Sequence, residues 1–236
     1  VTELLSNRTT LDVQRLGLRP YPEIWELQRR LQQELISGSG KDTLLLCQHP
    51  EVITIGRSGS RDHILASNEQ LTSRGVAVLE VERGGDVTYH GPGQLVAYPI
   101  INLTYKRKDV GWYMRTLEEV IIQTMQAFEV VGLRRPGRTG VWTENRKNAT
   151  DSRLLALEPN HKIASIGVRI SRWCTLHGLA LNVANCQSGF QLINPCGFTD
   201  IAVTSMEEER GSRADMSAVE DVLVRRFFEL FSYSKN

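Results

Sequence analysis

A chain of 236 residues that is 41% hydrophobic and 23% charged has the composition of an ordinary globular protein, which excludes long disorder, collagen-like repeats and coiled coil. Its 28 Lys and Arg against 27 Asp and Glu leave a net charge of +1. There is thus no global field for nucleic acid, and any charged partner must be met by a local patch. The longest apolar runs, such as Leu44-Leu45-Leu46, are strand-sized, far short of the roughly 18 residues of a membrane span.

A first helix is predicted over Tyr21–Ser37, where Ile24, Leu27, Leu31 and Leu35 recur at helical spacing and Gly38-Ser39-Gly40 ends the run. Short β-type runs follow at 43–47 and 52–55, and 76–81 alternates as a strand up to the Gly84-Gly85-Asp86 turn. Residues 87–90 and 95–103 continue the sheet around Gly91-Pro92-Gly93, with Pro99 pointing to an edge strand or a bulge. A long helix is predicted over 112–131, with Met114, Leu117, Ile121, Met125 and Phe128 inward and Gly132 as its stop. After a short run at 140–143 and a polar stretch at 145–160, the segments 162–170 and 175–183 read as an antiparallel hairpin. Ser217 to Glu220 has the capping-box pattern and opens a C-terminal helix carrying Val219, Val222, Leu223, Phe227 and Leu230. With no repeat and no dividing linker, the expectation is one domain over 1–236. Its fold class is α+β: a mixed or antiparallel sheet with about three main helices.

Three features bear on chemistry. Cys196 sits in Asn194-Pro195-Cys196-Gly197, a rigid turn that either displays a nucleophile or holds a half-buried, inert thiol. Strict alternation puts Lys162 on one strand face with Ala164, Ile166, Val168 and Ile170, where burial would lower its pKa; alternatively its amine snorkels to water. The run Arg83-Gly84-Gly85-Asp86-Val87-Thr88-Tyr89-His90-Gly91-Pro92-Gly93-Gln94 offers a backbone that can press against a ligand, or simply generic turns. It is neither a P-loop nor G-x-G-x-x-G. No metal site is expected: Cys174 and His177 fall on opposite faces of a regular strand, and Cys186 and Cys196 lack ligand spacing. Arg134, Arg135, Arg138, Arg146 and Lys147 form a local basic cluster, either plain solvated surface or a landing patch for an acidic protein. Four cysteines without a C-x-x-C pair suit a reducing compartment. A cytoplasmic location is therefore expected, or an organellar one if a targeting segment has been trimmed ahead of Val1.

Four blocks, Arg83 to Gln94, Lys162 to Arg169, His177 to Asn182 and Ile193 to Gly197, occur in the order found in the lipoyl(octanoyl) transferases, the lipoate-protein ligase B family, and the sequence resembles that family. The resemblance implies the biotin and lipoate ligase fold. It also implies transfer of an octanoyl group from octanoyl-acyl carrier protein, through a cysteine thioester, to the target lysine of lipoyl domains. Those acceptor domains belong to 2-oxoacid dehydrogenase complexes and to the glycine cleavage H protein. In this reading Cys196 is the nucleophile and Lys162 its activating partner. Arg83, Gly84, Gly85, Asp86, Val87, Thr88, Tyr89, His90, Ser165, Ile166, Gly167, Gly178, Leu179 and Ala180 line the substrate site. The resemblance implies an ATP-independent monomer with no cofactor, no metal, no nucleic acid and no membrane partner. Residues 145–160 are an expected surface insertion. The competing readings are an ATP-dependent ligase on the same fold, a non-catalytic acyl-binding module, and a thioesterase.

Overall fold

The computed structural model describes residues 10–144, 161–184, 187–194 and 202–234. Cys186, Cys196 and the predicted insertion at 145–160 lie outside the described residues. In chain order the elements are β1 (Asp12–Leu18), α1 (Tyr21–Ser37), β2 (Thr43–Gln48), β3 (Val52–Ile55), α2 (Asn68–Arg74), β4 (Ala77–Glu80), β5 (Val87–His90), β6 (Gln94–Ile100) and α3 (Val110–Gln126). They continue with β7 (Leu133–Arg135), β8 (Arg138–Thr143), β9 (His161–Ser171), β10 (Cys174–Asn182), α4 (Gln187–Phe190), β11 (Ala202–Val203), α5 (Met206–Arg210) and α6 (Met216–Leu230).

The main sheet has eight strands in the order β1-β2-β6-β10-β9-β8-β7, with β11 beside β9; a second sheet runs β4-β3-β5. β1 pairs with β2, β11 with β9, and β3 with β4 in parallel, and the remaining pairs are antiparallel. This is the expected mixed α+β architecture.

Alternation on the central strands builds two cores. Leu44 and Leu46 of β2 and Leu95 and Ala97 of β6 face the layer of α3 and α6, with Leu117, Ile121, Leu223 and Phe227. Leu45, Cys47, Val96, Tyr98 and Ile100 face α1, with Tyr21, Ile24 and Leu35. The two-sided burial explains why β2 reads as a continuous apolar run. Phe227 is fully buried and stacks on Phe231 with ring centroids 4.3 Å apart. Phe227→Ala is therefore expected to destabilise the protein by about 3–5 kcal/mol in urea unfolding; a change below 1 kcal/mol would show that the α6 layer repacks freely. Next to it, Tyr233 donates from its hydroxyl to Asp42 Oδ2 at 2.6 Å, and Arg15 lies 2.7 Å from Asp221, closing the chain's late residues onto its early ones.

Several sequence expectations are corrected. The last helix is capped by Asp215, whose side chain accepts from the Ser217 N–H, not by Ser217. The long helix starts after Asp109, which accepts from the Trp112 N–H, and ends at Gln126. Glu129, at φ 63°, makes the left-handed turn expected of Gly132. Pro99 sits in a central strand, not at an edge. β6 pairs with β10 only from Gln94 to Ala97, so the missing N–H leaves no gap there. The Thr175 hydroxyl instead donates to Pro99 O at 2.7 Å and accepts from the Ile101 N–H at 2.8 Å.

Candidate active site

Between the small sheet and the α1 face of the main sheet lies a cleft of about 550 Å³, counting its solvent-filled mouth. Of the binding residues expected from the sequence, Arg83, Gly84, Gly85, Asp86, Val87, Thr88, His90, Ser165, Ile166, Gly167, Gly178, Leu179 and Ala180 line it, and so does Lys162. Tyr89 does not. It packs against Phe190 and its hydroxyl donates to Glu51 at 2.6 Å, so it supports the small sheet from behind.

The glycine-rich loop is held rather than loose. Arg83 is buried and donates from Nη2 to Thr54 O at 2.7 Å, from Nε to Thr54 Oγ1 at 3.2 Å and from Nη1 to Gly84 O at 3.1 Å. The Gly84 N–H donates to Val168 O at 2.9 Å, stitching the loop to β9. On the facing wall Gly178 approaches β6 so closely that an added Cβ would collide with the Ala97 carbonyl and the Pro99 ring.

Lys162 is 9% exposed, and its Nζ lies 5.3 Å from the centre of the Trp142 ring, itself buried. It shares the cleft with Ser165 and Gly167, whereas Ala164, Val168 and Ile170 pack with the α3–α6 core, as does Ile166, which also borders the cleft. This reverses the face expected from strict alternation. The cause is a register shift: Val141 pairs with Ala164 but the next residue, Trp142, pairs with Lys162. One extra residue on β9 turns the lysine to the other side. Gly140, at φ 122°, leaves room for the stem, since a Cβ there would come within 3.1 Å of Lys162 Cε.

The reading of the residues missed two cleft aromatics, Tyr21 and Tyr98. Tyr98 shares a strand face with Val96, a period-2 signal present in the sequence. Behind them His49 places Nδ1 2.7 Å from Arg19 O and Nε2 2.8 Å from the Tyr98 hydroxyl. Because a carbonyl only accepts, Nδ1 carries the proton and Nε2 accepts from the tyrosine. Burial pushes His49 down to about 4 and His90 down to about 3. Burial likewise takes His177 to about 4, against the opposing pull of Glu82. All three bind their protons in the unfolded chain near pH 6.5 but not in the folded one. Stability is therefore full above about pH 6.5 and falls as the pH drops from there toward 4, by up to about 1.4 kcal/mol per pH unit for each histidine. Urea midpoints measured across that range are expected to decline steeply, and a flat profile would contradict the burial of these rings.

The described residues on either side of 195–201 are tied to residues that lead to or line the cleft. The Asn194 N–H donates to His63 O at 2.7 Å, and His63 Nδ1 lies 2.6 Å from Asp86 Oδ2. At the other end Val203 pairs with Lys162. The described cysteines are ill suited to attack: Cys47 and Cys174 are buried outside the cleft, and desolvation raises both thiols, that of Cys174 to about 11. Among the described residues no group of three His, Cys, Asp or Glu side chains is arranged to hold a metal ion, and no helix is long and apolar enough to cross a membrane. In the basic cluster, Arg134 is engaged by Glu119 at 2.6 Å and Glu118 at 3.2 Å, so its charge is locally neutralised. Arg146 and Lys147 lie outside the described residues.

The family model described as lipoyl protein ligase A/B catalytic domain matches residues 20–228. The octanoyltransferase of Chloroflexus aurantiacus (strain J-10-fl) is 45% identical over 224 residues, covering 94% of this chain and 95% of that protein. Among solved structures, the crystal structure of lipoate-protein ligase A bound with ATP aligns with a TM-score of 0.69 at 15% identity, covering 95% of this chain and 87% of that one. The biotin protein ligase from Aquifex aeolicus in complex with biotin and ATP aligns with a TM-score of 0.53 at 13% identity, covering 94% of this chain and 70% of that one.

Proposed function

The chain belongs to the octanoyltransferases within the lipoyl protein ligase A/B catalytic family, and on that premise we propose that Cys196 carries the octanoyl group and Lys162 moves the protons. The enzyme is an acyltransferase that delivers an octanoyl group to the lysine of a lipoyl domain. In the first half-reaction the Cys196 thiolate attacks the thioester carbonyl of octanoyl-acyl carrier protein. The new C–S bond forms as the carrier's C–S bond breaks, and the departing phosphopantetheine thiolate takes a proton from the Lys162 ammonium. In the second half-reaction the neutral amine of the acceptor lysine attacks the acyl-cysteine; the C–N bond forms as the C–S bond breaks, the Cys196 thiolate leaves, and the neutral Lys162 amine takes the proton that the new amide nitrogen sheds. Thioester exchange is close to isoenergetic and thioester-to-amide transfer runs downhill, so neither step needs ATP.

The observation that carries this reading is the placement of Lys162. A register shift brings Lys162 into the lining of the cleft, and Val203, seven residues after Cys196, pairs with it. The glycine-rich loop and the Ser165–Gly167 stretch flank the same space and would hold the thioester and the acyl chain. The acceptors we assign are lipoyl domains of 2-oxoacid dehydrogenase complexes and the glycine cleavage H protein. A cytoplasmic, reducing setting suits an enzyme whose described cysteines are free thiols and whose nucleophile must remain one. The test is intact mass after incubation with octanoyl-acyl carrier protein, without ATP. A hydroxylamine-labile octanoyl adduct is expected. If no adduct forms, and a lipoyl domain is modified only when ATP and free octanoate are supplied, the ligase reading replaces this one.

A further inference from the structure

One buried chain of hydrogen bonds leads from the cleft to the strand that carries Lys162. His90 Nδ1 lies 2.7 Å from Gln94 Oε1; Gln94 Nε2 donates to Asn182 Oδ1 at 2.9 Å; Asn182 Nδ2 donates to Thr204 O at 2.9 Å. His90, Gln94, Asn182 and Thr204 are each 6% exposed or less, so these bonds are shielded from bulk solvent. Thr204 then donates its own N–H to Lys162 O at 3.1 Å, and its hydroxyl donates to Glu209 at 2.7 Å. Gln94 and Asn182 are also register partners across β6 and β10, which keeps the two amides opposed.

The polarity of this chain is dictated at its ends. Thr204 O is a backbone carbonyl and can only accept, so Asn182 must turn its NH2 toward it and its oxygen toward Gln94. Gln94 must then turn its NH2 toward Asn182, an orientation reinforced by the carbonyl of Tyr89 at 3.4 Å. The Gln94 oxygen is left for His90. We infer that Gln94, Asn182 and Thr204 act as positioning residues that lock His90 in the Nδ1-protonated tautomer, so that Nε2 offers the cleft a permanent acceptor for an N–H of the attacking amine. A neutral imidazole without this chain can place its single proton on either nitrogen, and the wrong choice would present a donor to a donor. Thr204 holds the end of the relay and the main chain of Lys162 together.

The assignment of Nε2 to the amine rests on the proposed acyl-transfer reading, but the tautomer does not, and it is measured in the resting protein. Two-bond 1H–15N correlation of the imidazoles, with His90 assigned by a His90→Asn variant, is expected to show a protonated Nδ1 and an unprotonated Nε2. The opposite pattern in the wild-type protein overturns the inference whatever the enzyme acylates. Gln94→Leu is expected to shift His90 toward the Nε2-protonated form; an unchanged Nδ1–H signal there would remove Gln94 from the device. In single-turnover assays, Asn182→Leu is expected to slow transfer from acyl-enzyme to lysine by about 10–100-fold while acyl-enzyme formation is unchanged. Equal slowing of both half-reactions would mean a merely structural role.

Discussion

Cys196→Ser is expected to lower octanoyl transfer at least about 10³-fold while the fold and carrier affinity stay as they are. Serine is close to cysteine in size, so the substitution has no steric reason to disturb the fold. The chemistry does change: a thiol with a pKa of roughly 8.5 is partly thiolate at neutral pH, and an alcohol is not. A lysine poised for a thiol cannot deprotonate a hydroxyl to a useful extent. Any oxyester that formed would also have an alkoxide as leaving group in the second half-reaction. The check is the steady-state rate with octanoyl-acyl carrier protein and a lipoyl domain, together with loss of the hydroxylamine-labile adduct. A serine variant working at a tenth of the wild-type rate or faster would remove Cys196 from the mechanism. Cys47→Ser or Cys174→Ser serves as the contrast, since burial holds both of those thiols protonated.

Lys162→Met is expected to lower kcat/KM by about 10²–10⁴-fold, the range for losing a positioned acid–base group. Methionine preserves most of the length of the stem and removes the amine that sits over the Trp142 ring. The loss of activity is expected to far exceed any change in melting temperature. That combination separates a catalytic loss from an unfolding one. The variant's residual rate is expected to climb with pH, as bulk base replaces the missing amine in deprotonating both nucleophiles. Transfer at the wild-type rate with an unaltered pH profile would show that the two half-reactions draw their protons elsewhere.

Much of this architecture is written locally. The helices α1, α3 and α6 and the β9–β10 hairpin are long, strongly periodic and bounded by turn residues, so spacing alone reveals them. The short element α2 carried a readable signal too: Ser67 and Gln70 form a reciprocal capping box. β1 did not, because Asp12–Leu18 is a half-exposed run that acquires its strand from parallel pairing with the buried β2. The site divides in the same way. The glycine-rich block and the strand around Ser165–Gly167 show their cleft-facing character in composition. The direction of Lys162 depends on a register shift against β8, a tertiary fact that no alternation rule on β9 alone contains. Tyr89 misled for the converse reason. It stands inside the most distinctive block of the chain, yet the period of a strand sends it to the far face with Phe190.

The closure of Tyr233 onto Asp42, and of Asp221 onto Arg15, has a meaning for how the enzyme is made. β2 and β6 are apolar on both faces. One neighbour of β6 is β10, and one covering layer is α6, both encoded much later. At synthesis rates of about 5–20 residues per second, these strands leave the ribosome roughly ten seconds before the residues that cover them. During that interval the nascent chain presents adhesive, unpaired sheet to its surroundings, and non-local pairing of this kind is slow to form. The protein's period of greatest exposure to aggregation and proteolysis is thus its own translation, and it ends when the last aromatic residues seal the α6 layer.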